Sequence, residues 1–220
     1  MKVLVIAPHP DDELIGVGGT IAKRLRDGND VTVAIATKGF PPLHNQKIIE
    51  KGIQEDTEAN KILGVSSIKR MELPANGLDS MEQYRINEAF MKLIDEVSPE
   101  EVFIPFCGDM HIDHRIIAES AMVAMRPKNG CPVRRILSYE VPSETGWNFA
   151  RADKFFVPNV YEDISAQIAR KVSALRKMES QISVLEGARS IDSIMALARY
   201  RGATMGMNYA EAFMLERELL

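Results

Sequence analysis

Five apolar residues, Val3-Leu4-Val5-Ile6-Ala7, run without interruption into Pro8-His9-Pro10-Asp11-Asp12-Glu13. A short apolar run rich in β-branched residues fits a strand buried on both faces, the situation of a strand inside a parallel sheet. From Asp12 the period changes, and Leu14, Ile15, Val17, Ile21, Ala22 and Leu25 recur at helical spacing until Asp27-Gly28-Asn29 stops them. The chain therefore opens as strand, loop, helix, and a sheet begun in this way has to be covered by helices.

The alternation continues. Residues Val31 to Ala36 read as a second strand, Ile48 to Leu63 as a helix closed by Gly64, and Ile68 to Leu73 as a short strand. A helix over Glu82 to Val97 ends at Ser98-Pro99, and Glu101-Val102-Phe103-Ile104-Pro105 follows as another buried strand. Beyond Ile116 the pattern predicts a helix to about Met125 and a strand over Ile136 to Val141. A loop carrying Pro142, Gly146 and Trp147 then leads to Phe155-Phe156-Val157-Pro158. Apolar residues at Ile164, Ile168, Val172, Leu175, Ile182 and Leu185 predict one long amphipathic helix from Ile164 to Val184. Strands separated by helical crossovers define an α/β, Rossmann-like class: a mostly parallel sheet with helices on both faces. No repeat, low-complexity tract or linker interrupts the pattern, so the reading is one domain over residues 1–220.

Composition narrows the partners. With 27 Lys and Arg against 31 Asp and Glu the net charge is -4, which argues against sequence-independent binding to the phosphates of nucleic acid. The apolar run at Val3–Ala7 is too short for a signal segment or a membrane span. The two cysteines, Cys107 and Cys131, read as reduced thiols. These features point to a cytoplasmic protein with no membrane span and no nucleic-acid partner.

In an open α/β sheet ligands bind beyond the carboxyl ends of the strands. Two polar clusters fall there: His9 to Glu13 after the first strand, and Asp109-Met110-His111-Ile112-Asp113-His114 after the strand ending at Pro105. Three of the four histidines lie in these clusters, whereas His44 sits in a Pro-rich loop. Two imidazoles and a carboxylate, with a fourth position left to water, form a recurrent catalytic zinc set. The plainer reading makes the acids of the first cluster a helix cap, and His111 and His114 solvated residues at a helix start. Two such clusters at matching strand ends favour the metal reading.

Together the clusters resemble the zinc-dependent N-acetylglucosaminyl deacetylases of the LmbE-like, or PIG-L, family. The resemblance rests on Pro8 to Glu13 with Gly16, Gly18, Gly19 and Thr20 behind them, and on His111-Ile112-Asp113-His114. Glu55, Leu63-Gly64-Val65 and Tyr209-Ala210-Glu211-Ala212-Phe213 agree more weakly. It implies Zn2+ held by His9, Asp12 and His114, with Asp11 as general base toward water. His111 becomes a polarising or acid group, and Asp113 its orienting partner. It also implies an amino-sugar substrate and a homo-oligomer. Chemistry supports the division of labour between Asp11 and Asp12, because one carboxylate cannot both hold a metal and take a proton. An imidazole beside the metal can stabilise an oxyanion while a carboxylate fixes its tautomer. The match departs from the family at Gly52, where many members carry a substrate-holding Arg, and at Asp109, where some carry Tyr.

Other readings compete. Trp147 could stack on a sugar ring or pack on the core, and Lys38, Arg199 and Arg201 could meet a substrate anion or be solvated. Gly16-Val17-Gly18-Gly19 lacks the G-x-G-x-x-G spacing of a dinucleotide loop and follows acids where phosphate would sit. A metal-dependent amidase for a small non-sugar amide, and a non-catalytic zinc- or sugar-binding module, remain as alternatives. The pairing of Asp11 with Asp12 and of His111 with His114 favours an enzyme, and Cys107 and Cys131 lack the spacing of a closed structural zinc site.

Overall fold

The computed structural model describes residues 1–128, 130–182 and 186–220. Its first half alternates strictly: β1 (Lys2–Ala7), α1 (Asp12–Arg26), β2 (Asp30–Lys38), α2 (Gln46–Leu63), β3 (Ser67–Pro74), α3 (Gln83–Val97) and β4 (Glu101–Pro105). The second half adds α4 (Ile112–Ala124), β5 (Arg135–Tyr139), the short α5 (Pro142–Thr145), β6 (Val160–Asp163), α6 (Ile168–Leu175), α7 (Ile191–Ala203) and β7 (Ala210–Glu218). All seven strands form one sheet in the order β3-β2-β1-β4-β5-β7-β6. The pairs among β1 to β5 are parallel, while β7 runs antiparallel to both β5 and β6. The expected Rossmann-like class is the one observed.

The alternation of side chains along a strand explains the two-layer cover. On β1, Val3, Val5 and Ala7 enter an apolar cluster with residues of α1, α2, α6 and α7, while Leu4 and Ile6 enter a second cluster with α3 and α4. Both sets are buried, which is why β1 reads as a continuous apolar run. Burial of each such Val, Leu or Ile contributes about 1.5–3 kcal/mol, so the sheet centre is the rigid part of the frame.

A buried ion pair ties the late elements to this frame. Lys171 on α6 donates to Glu211 Oε1 on β7 at 2.5 Å and to the Ile15 carbonyl at 2.6 Å. Glu211 also accepts from the backbone N–H groups of Gly19 and Thr20. Nearby, Gly16 lies so close to Tyr139 that an added Cβ would stand 2.2 Å from the ring. The Tyr139 hydroxyl in turn donates to the Ile6 carbonyl at 2.8 Å.

Three expectations change. The helix after β4 begins at Ile112, not beyond Ile116, because the His111 side chain caps it by accepting from Asp113 N. The long helix over 164–184 is only the eight residues of α6. Ser180 instead gives its N–H and hydroxyl to Glu55 Oε2, a turn stabilised by side-chain bonding in place of helical continuation. Val184 and Leu185, which the periodicity assigned to that helix, lie outside the described residues. The strand expected over Ile136 to Val141 spans Arg135–Tyr139.

Candidate active site

Strand order reverses between β1 and β4, where one half of the sheet winds outward to β2 and β3 and the other to β5. Ligand crevices in doubly wound sheets open at this switch point. His9 to Asp12 leave the carboxyl end of β1 and Asp109 to His114 leave that of β4, so the two clusters meet.

The turn into α1 is strained. Asp11, the N-cap, stands at φ 114° and ψ −26°, which costs a non-glycine residue about 1–3 kcal/mol. Glu13 braces it by accepting from Asp11 N at 3.3 Å and from Asn60 Nδ2 at 2.7 Å. Burial and the neighbouring Asp56 push Glu13 well above the usual carboxylate range. Asp56 is itself paired with Arg70 at 2.5 Å.

His9, Asp12 and His114 converge. Asp12 Oδ2 lies 3.3 Å from His9 Nδ1 and 3.2 Å from His114 Nε2, and one ligand atom from each of the three residues lies within 4.8 Å of the others. His114 Nδ1 is bonded to Asp109 Oδ2 at 2.9 Å, and Thr145 donates to Asp109 Oδ1 at 2.5 Å. His114 Nε2 makes no hydrogen bond among the described residues, although it is buried. A ring fixed through one nitrogen by a carboxylate and open at the other is a metal-ligand arrangement, so the donor set fits a divalent ion. Asp109 is thus the residue that orients His114.

Charge follows the same geometry. Burial alone would lower His9, but hydrogen bonds to Asp113 and Asp12 raise it to about 9. His114, also opposed by burial, is raised to about 10 by Asp12 and Asp109. Asp12 is held well below the carboxylate range against its burial, chiefly by His114. Asp11 is raised to about 7 by burial, with Arg189 pulling it down and Asp12 pushing it up. His111 falls to about 4 through burial and the proximity of His9 and His114. The three rings form one group, His9 and His111 having centroids 4.6 Å apart and His111 and His114 5.5 Å.

The Asp113 carboxylate is placed differently from expectation. Its Oδ2 faces His9 Nε2 at 3.2 Å and accepts from Asn76 N at 2.7 Å, so the ring that it orients is His9. Only its backbone N–H meets His111, at Nδ1. His9, His111 and Asp113 also place ligand atoms within 4.8 Å of one another, a second group of metal-binding type that shares His9.

A cleft of about 260 Å³ opens beside the site, with His9, Asp11 and His111 at one end. Arg189, which no sequence pattern singled out, lines this cleft and donates to Asp11 Oδ1 at 2.9 Å and to Asp12 Oδ1 at 3.3 Å. It precedes the N-cap Ser190 of α7, and only the tertiary fold brings it to β1. Lys38, His44 and Gly52 line the cleft as well. Trp147 does not, and is 65% exposed. Arg201 pairs with Glu140 and Arg199 bonds Asn208, both away from the cleft.

A doubly wound α/β frame with a His and carboxylate centre suited to a metal ion, at the end of a deep cleft, defines a metal-dependent hydrolase. The chain belongs to the PIG-L family: residues 4–125 match the family described as GlcNAc-PI de-N-acetylase. It is 28% identical over 222 residues to the diacetylchitobiose deacetylase of Thermococcus kodakarensis, covering 96% of this chain and 81% of the relative. The 1D-myo-inositol 2-acetamido-2-deoxy-alpha-D-glucopyranoside deacetylase of Saccharomonospora viridis is 31% identical over 232 residues, with 83% and 85% covered. Among solved structures, a conserved protein of Thermus thermophilus superposes with a TM-score of 0.78 at 27% identity, covering 99% of this chain and 96% of that one. No helix among the described residues is long and apolar enough to cross a membrane.

Proposed function

We propose that the protein is a Zn2+-dependent N-deacetylase acting on an N-acetylglucosaminyl-type amino sugar or its conjugate. His9, Asp12 and His114 hold the ion, Asp11 is the general base, and His111 donates to the reacting carbonyl. The observation that carries this reading is the pair of adjacent carboxylates with separate environments. Asp12 lies between two imidazoles, whereas Asp11 has Oδ1 held by Arg189 and Oδ2 buried and without a hydrogen-bond partner among the described residues. The names of the relatives supply the substrate class.

When bound at His9, Asp12 and His114, zinc supplies a Lewis acid for the amide carbonyl and acidifies water. Asp11 Oδ1 is held by Arg189, leaving Oδ2 to take the proton of a water as its oxygen adds to the acetamide carbon. Burial raises this carboxylate above its ordinary range, which strengthens it as a base. His111 accepts from Asp113 N through Nδ1, so its own proton is on Nε2, and its low pKa keeps the ring neutral. That N–H can donate to the carbonyl oxygen as negative charge develops there. Asp11 then returns its proton to the leaving nitrogen, the C–N bond breaks, and the products are acetic acid and the free amine, which leave as acetate and ammonium once the acid's proton passes to the amine. Asp113 acts through His9, and Asp109 through His114.

We also infer a cytoplasmic setting, as one domain over residues 1–220, from free Cys107 and Cys131 and the single continuous sheet. The test of function is acetate release by zinc-loaded protein from N-acetylglucosaminyl glycosides. Turnover confined to peptides or non-sugar amides would overturn the substrate class.

A further inference from the structure

The cleft extends well beyond the reacting end. It runs from His9 after β1, past Thr37 and Lys38 at the end of β2, to Arg70 and Glu72 on the edge strand β3. Neighbouring strands lie about 4.8 Å apart, so the far end is about 10 Å from β1, room for a second ring-sized group beside the sugar that carries the acetamide.

The far wall is apolar and its charges are already paired. Helix α2 turns Ile48, Ile49 and Ile53 toward the cleft, and Gly52 on the same face leaves open space where a side chain would stand. Lys38 is bonded to Glu72 at 3.0 Å, and Arg70 to Asp56 at 2.5 Å. The remaining Arg or Lys that lines the cleft, among the described residues, is Arg189, which is bonded to Asp11. An incoming phosphate or carboxylate would meet cations whose acids are still in place and would lose water against isoleucine. An uncharged group with an apolar face meets neither penalty, and it covers half-exposed isoleucine.

Resting on the reading that the reacting end takes the N-acetyl amino sugar, we infer that the far half of the cleft, against α2, is a subsite for an uncharged aglycone with an apolar face, and that it discriminates against anionic conjugates. The substrate of this chain is then a neutral glycoside and not a sugar phosphate or a carboxylate conjugate.

Equilibrium binding tests this without turnover when Asp11→Asn, which keeps the metal ligands but lacks the proposed base, is the background for every ligand. Calorimetry on the zinc-loaded protein would compare phenyl N-acetylglucosaminide, a neutral N-acetylglucosamine disaccharide and N-acetylglucosamine 1-phosphate. Both neutral ligands should bind about tenfold or more tightly than the phosphate, and their order tells an aryl occupant from a sugar. Gly52→Arg adds a cation to a wall that has space for it, and it should narrow or invert the gap. Phosphate binding as tight as that of the neutral ligands to the protein that retains Gly52 would overturn the inference. Acetate release, read separately with Asp11 in place, keeps the two claims apart. A binding preference with no acetate from any glycoside overturns the proposed function and leaves the subsite. Acetate released from all three with equal kcat/KM overturns the subsite and leaves the function.

Discussion

Asp113 Oδ2 lies 3.2 Å from Nε2 of His9, on the opposite side of the ring from the nitrogen that faces Asp12 at 3.3 Å. The carboxylate would therefore fix which nitrogen of His9 faces an ion held with Asp12 and His114. Asp113→Ala should weaken zinc affinity roughly 10–100-fold, the usual cost of losing such a partner, as measured by competition with a chelator. Unchanged zinc affinity with reduced turnover would instead place Asp113 with His111.

Among the described residues Arg189 is the one cation bonded to Asp11, and it holds that carboxylate lower than burial alone would. Removing it as Arg189→Gln should raise the pKa of Asp11. Because the base acts deprotonated, the acidic limb of the kcat/KM profile should move to higher pH. A limb that stays in place or moves down would show that Asp11 is not the group being titrated.

In the metal-free protein, His9 at about 9 and His114 at about 10 both lie above their ordinary 6.5. Their contribution to stability is complete below 6.5 and is lost as pH rises through the folded values. Metal-free protein should therefore lose melting temperature between pH 7 and 10, by more than a His114→Gln variant does. Zinc-loaded protein, whose imidazoles are already deprotonated, should lack that component. Equal slopes for wild type and variant would show that His114 does not carry the linkage.

The buried pair of Lys171 and Glu211 predicts a different response. Lys171→Met leaves the Glu211 carboxylate buried among two N–H donors without its cation, and should cost about 3–5 kcal/mol in denaturant unfolding. A double variant, Lys171→Met with Glu211→Gln, should recover part of that loss. A single variant as stable as wild type would show that the pair is not what anchors β7 to α1.

This pair also explains what the sequence concealed. Strand β1 and strand β4 were legible because their residues are buried on both faces and read as apolar runs. Strand β7 reads Ala-Glu-Ala-Phe-Met-Leu-Glu-Arg-Glu, and its buried Glu211 looks like a solvated residue until Lys171, forty residues earlier, is beside it. The site divided in the same way. His9, Asp11, Asp12, His111 and His114 stand in two local motifs, and the strand ends bring all five close together. Arg189 and Asn76 reach it from distant loops that carry no motif, and the partner of Asp113 depended on a side-chain direction that spacing does not encode.

If Asp11 moves the proton while Asp12 holds the metal, Asp11→Asn should separate the two roles in one variant. Asparagine tolerates the positive φ that residue 11 adopts and keeps the side-chain size, so the turn should persist. The measurement is zinc content and kcat on the same purified protein with an N-acetylglucosaminyl substrate. One zinc per chain and a fall in kcat of roughly 10²- to 10⁴-fold are expected. Full zinc with near-normal kcat would contradict that division of roles and would make another group, His111 first, the base.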